Sequence, residues 1–340
     1  MNNKIVGGRL LKAINKALKE SIEENKANNT WDNLKLAIKN NLLKRLVLED
    51  SKEWRVYLPT SLSLAKRLLE TTSIGLRGLY DSVFSLYFYL TDYGLVGSAE
   101  GILNTIFEAG LFIDWLLGLP FYPGSSIKGG IRDVAENFIN DREVIEELFG
   151  SSGEAGSIGG LFISDAYPIG CKNDSKHPCL ILTGDVVNPH YYKPGLGWVE
   201  TEMDVEPSPV KHIAIAPGTV FRVVIGVMFP TEDKLHRIVN EVDSVKSLLG
   251  SSELELDDYM KYLKLISNLV ASAFYNGIGA RSSKGYNMFE YLDDKNAVNS
   301  TTIHYLRIRK VGNEEHPRIQ RRGRHRGGIR RSPGYRRRFY

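Results

Sequence analysis

Gly277-Ile278-Gly279-Ala280-Arg281-Ser282-Ser283-Lys284-Gly285-Tyr286 joins a strongly amphipathic helical pattern to a short β-forming run. Three glycines free the backbone for close approach and for positive φ. Two hydroxyls and two cations supply donors in the same turn, and exposed N–H groups beside Arg and Lys form a concavity suited to phosphate. No Walker-type Gly-Lys-Ser/Thr is present, so the stretch reads as a contact to a phosphate backbone rather than a nucleotide pocket. A helix cap at Gly277 followed by a plain surface turn would leave Gly279, Gly285 and the Arg281-Ser282-Ser283-Lys284 core unexplained. Upstream, the helix starts near Asp257 and repeats Tyr262, Ile266, Leu269, Val270, Ala273 and Phe274. Downstream, residues 286–292 form the last strand.

A second bend of similar chemistry is Gly124-Ser125-Ser126-Ile127-Lys128-Gly129-Gly130-Ile131-Arg132, after Leu119-Pro120-Phe121-Tyr122-Pro123. It opens a helix with Ile127, Ile131, Val134, Ala135, Phe138 and Ile139 on one face. Serine at the start caps free N–H groups, and a helix N-terminus favours an anion. Lys128 and Arg132 stand four apart and project together. Gly129 and Gly130 each cost about 1 kcal/mol relative to Ala in a helix, which points to something approaching that backbone closely: an RNA strand or an adjacent subunit, where the alternative is a tight helix–sheet contact.

The remaining pattern supplies strands at 83–90, expected to be buried on both faces, and at 111–116, 161–163, 180–183, 213–216 and 220–229. Pro217-Gly218 is a type II turn signature. A polar helix covers 232–249. The fold class is α+β: an antiparallel sheet with helices on one face, compatible with an enlarged ferredoxin-like fold carrying long insertions. Residues 1–71 form a helical N-terminal extension, with helices broken at Asn28-Asn29-Thr30, Thr30 or Asp32 as a cap, and a short third helix over 62–69. Residues 72–295 form the body, with a long insertion at 184–211 of little periodic pattern. Residues 296–340 form a C-terminal segment ending in a tail.

That tail concentrates the charge. The 340 residues carry a net +4, yet residues 318–340 hold ten Arg and no acid, leaving 34 basic against 40 acidic groups elsewhere. Arginines among glycines, with Tyr335 and Phe339 between them, cannot build a core; the segment reads as disordered and suited to sequence-independent RNA attachment. No apolar run is long enough for a membrane span. No signal-peptide pattern is present and the two cysteines, Cys171 and Cys179, make no disulfide framework, so a cytoplasmic location is expected. Cys171, His177, Cys179 and His190 lack the spacing of a zinc site, and no cofactor is implied. Asp185-Val186-Val187-Asn188-Pro189-His190-Tyr191-Tyr192 holds an acid, a histidine and two phenols. It reads as a turn anchored by its aromatics, or as stacking of Tyr191 and Tyr192 on bases, rather than as a catalytic set.

The two bends, PGSSIKGGIR and GIGARSSKGYNMF, resemble those of the RAMP superfamily of CRISPR-associated proteins. LFISDAYPI, GDVVNPHYY and KHIAIAPGTVFRVVIG resemble, within it, subunits of the type III-B (Cmr) effector. The resemblance spans roughly 72–292, with Asn287 standing where family members usually have glycine, a position that Asn tolerates in the left-handed region. It implies RRM-like ferredoxin modules, a place at one end of a filament of RAMP subunits, and partners that are guide RNA, target RNA and other Cmr subunits. By position, Ser125, Ser126, Lys128 and Arg132, with Gly277, Gly279, Arg281, Ser282, Ser283, Lys284, Gly285 and Tyr286, would carry the RNA or neighbour contacts. The resemblance also raises a rival activity, RNA cleavage. Guide-processing relatives carry a histidine early in the chain, whereas the first histidine here is His177. Asp165 and Asp185 are the candidates for target cleavage. A non-catalytic role is expected.

Overall fold

The computed structural model describes residues 7–24, 31–43, 51–97, 111–153, 156–172, 181–187, 192–193, 197–198, 210–250, 254–279 and 282–292. In chain order the elements are α1 (Gly7–Glu24), α2 (Trp31–Leu43), α3 (Ser51–Leu76), β1 (Ser82–Leu90), β2 (Ile113–Asp114), β3 (Leu119–Pro120), α4 (Gly124–Phe138), α5 (Arg142–Phe149), β4 (Leu161–Ile163), β5 (Tyr167–Cys171), β6 (Leu182–Val187), β7 (Tyr192–Lys193), β8 (Gly197–Trp198), β9 (Val210–Ile215), β10 (Thr219–Val227), α6 (Glu232–Asn240), α7 (Asp243–Leu248), α8 (Asp258–Asn276) and β11 (Phe289–Tyr291).

The main sheet runs β11-β1-β10-β4, with β5 pairing with β10 as well, and all pairings are antiparallel. Strand β4 pairs with Ile225–Val227 of β10 and β5 with Thr219–Arg222, so the two lie end to end along one edge. Ser164 bridges the gap: its N–H donates to the Val224 carbonyl and its hydroxyl accepts from the Val224 N–H, both at 2.9 Å. On one face, Leu86, Phe88 and Leu90 of β1 and Phe221, Val223 and Ile225 of β10 are buried against apolar faces of α4 and α8. Phe88 stacks on Phe274 of α8 with ring centroids 4.1 Å apart.

Several expectations change. Burial alternates along β1, because Tyr87 and Tyr89 point to the opposite face and stay half-buried. The strand expected over 111–116 stops at Asp114, whose carboxylate accepts from the N–H groups of Leu116 and Leu117 and folds the chain into the β2–β3 turn. The short helix expected over 62–69 is the 26-residue α3. Its inner stripe is Ser61, Ala65, Leu69, Ser73 and Leu76, and the small hydroxyls hide the period from a count of apolar residues. Helix α3 lies on the second face of the sheet, against Tyr167 and Val224, so helices cover both faces rather than one. It also carries the helical N-terminal part past the boundary expected at 71. The helix expected over 232–249 is two helices, α6 and α7. Strand β5 was not anticipated, and Cys171 at its end is disulfide-bonded, contrary to the reading of the cysteines.

Between α1 and α2, the Asn41 amide donates to the Ser21 hydroxyl and the Glu24 carboxylate. The insertion is more regular than its composition suggests, since β6 and β9 form a hairpin ladder from Leu182↔Ile215 to Val187↔Val210. Its acidic stretch 200–206, the Asn188–Tyr191 turn, His177, Cys179, Thr30 and the tail 318–340 lie outside the described residues. No helix among the described residues is long and apolar enough to cross a membrane.

Polar side chains tie α6 to the start of α8. The Asn240 amide donates to Asp258 at 2.8 Å, His236 lies at 2.9 Å from the other carboxylate oxygen, and Lys261 donates to Asn240 at 2.7 Å. The Asn240 hydrogen bond foremost, with His236 and Lys261, holds the Asp258 carboxyl below its ordinary value against the opposing effect of burial. A depressed carboxyl stabilises the fold above its unfolded pKa, and that contribution is lost as pH falls through the folded value. Asp258→Asn is therefore expected to lower Tm by about 3 °C at pH 7. In thermal melts the gap to the parent should close below about pH 4.

Candidate nucleic-acid interface

The first bend is zipped to the sheet edge before its helix begins. Tyr122 and Ala166 exchange backbone hydrogen bonds at 3.0 and 2.9 Å. The Gly124 N–H then donates to the Asp165 carboxylate at 2.7 Å. A Cβ on Gly124 would sit 2.4 Å from the Ile163 carbonyl oxygen, so only glycine lets α4 start this close to β4. The N-cap is Pro123, without a side-chain cap; Ser125 and Ser126 lie inside the first turn and are exposed. Asp165, considered for RNA cleavage, is thus the acceptor at this helix terminus.

Ser125, Gly129 and Arg132 share an outward stripe of α4. A Cβ on Gly129 would meet nothing within 4 Å, so no contact within the described residues requires glycine there. Arg132 forms an exposed ion pair with Glu136 at 2.6 Å. Lys128 turns toward the sheet edge: its ammonium donates to the Leu161 carbonyl at 2.8 Å. Burial, and then the charge of Arg132, lowers its pKa from the ordinary lysine value.

The second bend begins where α8 ends at Gly277. Gly279 has φ of 117°, and a Cβ there would come 3.0 Å from the Asn287 amide nitrogen. Ser282–Lys284 make a short 3-10 turn closed by the Gly285 N–H donating to the Ser282 carbonyl. Ser283 and Lys284 are exposed, while Ser282, Gly285 and Tyr286 are half-buried. Ala280 and Arg281 lie outside the described residues.

The two bends meet through a residue to which sequence reasoning gave only a turn role. Asn287, in the left-handed region at φ 59°, is 0% exposed. Its side-chain carbonyl accepts from the Tyr122 hydroxyl and from the Leu95 N–H, both at 2.6 Å. Its amide donates to the Leu95 carbonyl at 2.9 Å, and its own N–H donates to the Tyr93 carbonyl at 2.9 Å. Tyr122 is fully buried, with Phe221 and Phe289 edge-on to its ring. Ile278 closes the junction by lying over Gly130 of α4. Ser126, one turn before Gly130, falls on the same side. Lys128, 200° around the helix from Gly130, does not face the second bend. The only sequence signal for this junction was the departure Gly285-Tyr286-Asn287 itself.

The ring of Tyr286 is held from the insertion. Its hydroxyl donates to Asp185 of β6, which lies opposite His212 of β9 in the ladder. His212 Nε2 is 3.6 Å from the same carboxylate, and the imidazole is 1% exposed. Asp185, the other cleavage candidate, therefore positions a bend residue. No group of three or more metal-ligating side chains occurs among the described residues.

An α+β sheet carrying two glycine-bearing bends pinned side by side defines a class, and the family model for the RAMP superfamily matches residues 104–286. The chain belongs to that superfamily. The CRISPR system CMR subunit Cmr6 of Saccharolobus solfataricus is 30% identical over 196 residues, which are 58% of this chain and 53% of that protein. The match thus spans about half the length of this relative. A chain in the cryo-EM structure of the type III-B Cmr-beta bound to cognate target RNA shares the fold at a TM-score of 0.52 and 23% identity. That likeness covers 84% of this chain and 90% of the other.

Asn287→Ala removes the partner of the Tyr122 hydroxyl and of both Leu95 backbone groups, each buried. Leaving a buried polar group unpaired costs about 1–3 kcal/mol. Urea unfolding of this variant is expected to show a loss of about 3 kcal/mol or more. A change near zero would show that the junction does not hold the bends.

Proposed function

We propose that this chain is a non-catalytic RNA-binding subunit of a type III-B CRISPR (Cmr) ribonucleoprotein effector, in the position of the sixth Cmr subunit. It would cap the RAMP filament near the 3′ side of the guide RNA and support target RNA binding in antiviral defence. Family membership and the Cmr6 relative support the assembly. The RNA role is carried by one observation: Ser125, Ser126 and Gly129 are exposed on the first two turns of α4, and the loop that carries Ser283 and Lys284 packs on the same helix through Ile278 over Gly130. Gly129 costs the helix about 1 kcal/mol with nothing inside the described residues to require it. A ribose-phosphate strand lying over Ser125, Ser126 and Gly129 would supply the reason, with Ser283 and Lys284 donating from the second bend.

In this reading the protein holds backbone and shape while guide pairing supplies sequence, as in other RNA-guided systems. Asp165 caps a helix and Asp185 holds Tyr286, which supports a non-catalytic role for both. Arg132 and Lys284 are the outward cations best placed to meet phosphate. Lys128 is committed to Leu161 and would act through the position of α4.

Full-length protein is titrated with fluorescent single-stranded RNA over a range of salt. Arg132→Ala with Lys284→Ala is expected to weaken binding about tenfold at low salt and to flatten the salt slope by about 2. An unchanged slope would overturn the assignment of these residues. Incubation of the parent protein with labelled RNA and divalent metal should yield no cleavage. Cutting that disappears in Asp185→Ala would instead establish a ribonuclease.

A further inference from the structure

The second face of the main sheet is only partly covered by α3, which packs on Tyr167, Val224 and Val83. At the other end of this face, β1 presents Tyr87 and Tyr89, two residues apart and half-buried. Among the described residues, neither joins an apolar cluster. The ring contacts that define them are cationic. Lys172, exposed just past β5, places its ammonium 3.8 Å from the Tyr89 ring centroid. Arg222 of β10, directly opposite Tyr87 in the register, places its guanidinium 5.7 Å from the Tyr87 ring. Both partners are fixed from the side: Arg222 Nε donates to the Ser85 hydroxyl at 3.1 Å, and the Tyr89 hydroxyl donates to Glu290 of β11.

We propose that this face is a second RNA site, taking two bases of a single strand on Tyr87 and Tyr89, with Lys172 and Arg222 on the flanking phosphates. The inference rests on the RNA-binding reading above. Alternate residues of a strand stand about 6.8 Å apart, twice the roughly 3.4 Å rise per nucleotide of a stacked strand, so each ring can take one splayed base. Aromatic faces accept any base, and arginine planes stack as well as pair with phosphate. An exposed cation over a ring contributes only about 0.5–1 kcal/mol, little enough for an incoming base to displace Lys172. Glu290, the carboxylate beside the patch, is engaged by the Tyr89 hydroxyl and anchors that ring at the β11 side.

The test is photo-crosslinking of the full-length chain to single-stranded RNA containing 4-thiouridine, read by mass spectrometry of the digested adduct. Adducts are expected on the peptide holding Tyr87 and Tyr89, besides those on the peptide spanning Gly277–Tyr286. Tyr87→Leu with Tyr89→Leu, which keeps β-compatible apolar bodies, should abolish the first set and weaken binding about fivefold or more. Lys172→Gln, at an exposed position with little demand on folding, should weaken binding and lower the salt slope by about 1. Adducts confined to the Gly277–Tyr286 peptide, with affinity unchanged in the tyrosine variant, would overturn the sheet-face site and leave the first interface standing. Failure of the parent protein to bind RNA at all would overturn both.

Discussion

The side-chain carbonyl of Asn287 accepts two hydrogen bonds in a site sealed from water, one from the Tyr122 hydroxyl and one from the Leu95 amide. Tyr122 and Asn287 are 165 positions apart in the chain, so no local preference brings them together. Inside a protein such bonds are strengthened by the low dielectric, and every unmet partner is costly. The asparagine therefore has essentially one permitted arrangement. Because it sits at φ 59°, it also dictates how the chain leaves Gly285-Tyr286 and enters β11.

From this junction the candidate interface follows outward. Tyr122 precedes α4 by two residues and is itself laced to Ala166, so the helix start is set by the same residue that meets Asn287. Ile278 on Gly130 then brings the loop after α8 against α4. Asp185 and His212 contribute from the insertion by fixing Tyr286. The acid, the histidine and the phenol are gathered in one place, with the Asp185 carboxylate taking the Tyr286 hydroxyl and lying 3.6 Å from His212 Nε2. The outward groups Ser125, Ser126, Gly129, Ser283 and Lys284 are those that the proposed RNA contact would use.

The α8 face and β10 were legible because helical and alternating patterns persist over many residues there, β1 because its β-forming run is nearly unbroken, and the bends because glycines stand among hydroxyls and cations. The helix start near Asp257 and the turn at Gly218 were legible from local sequence, and the Asp257 carboxylate accepts from the Met260 N–H there. Helix α3 was shortened in the sequence reading because Ser61 and Ser73 occupy inner positions that a hydrophobic pattern leaves blank. Strand β2 was overextended because an Asp side chain, not a loss of β preference, ends it at Asp114. The direction of Lys128 was not legible, since i and i+4 spacing with Arg132 says that two side chains neighbour each other but not which carbonyl lies in reach. Least legible was the junction itself: a buried Asn gives no periodic signal, and its partners lie in segments with no pattern in common.

RNA affinity of Tyr122→Phe tests the link between junction and interface most directly. The Tyr122 ring is fully buried, so it cannot touch a polynucleotide, and the substitution deletes a single hydroxyl. If that hydroxyl fixes Asn287 and through it the second bend, affinity for single-stranded RNA should fall several-fold in a variant that still melts cooperatively. Parent-like affinity in such a folded variant would contradict the dependence of the interface on this hydrogen bond.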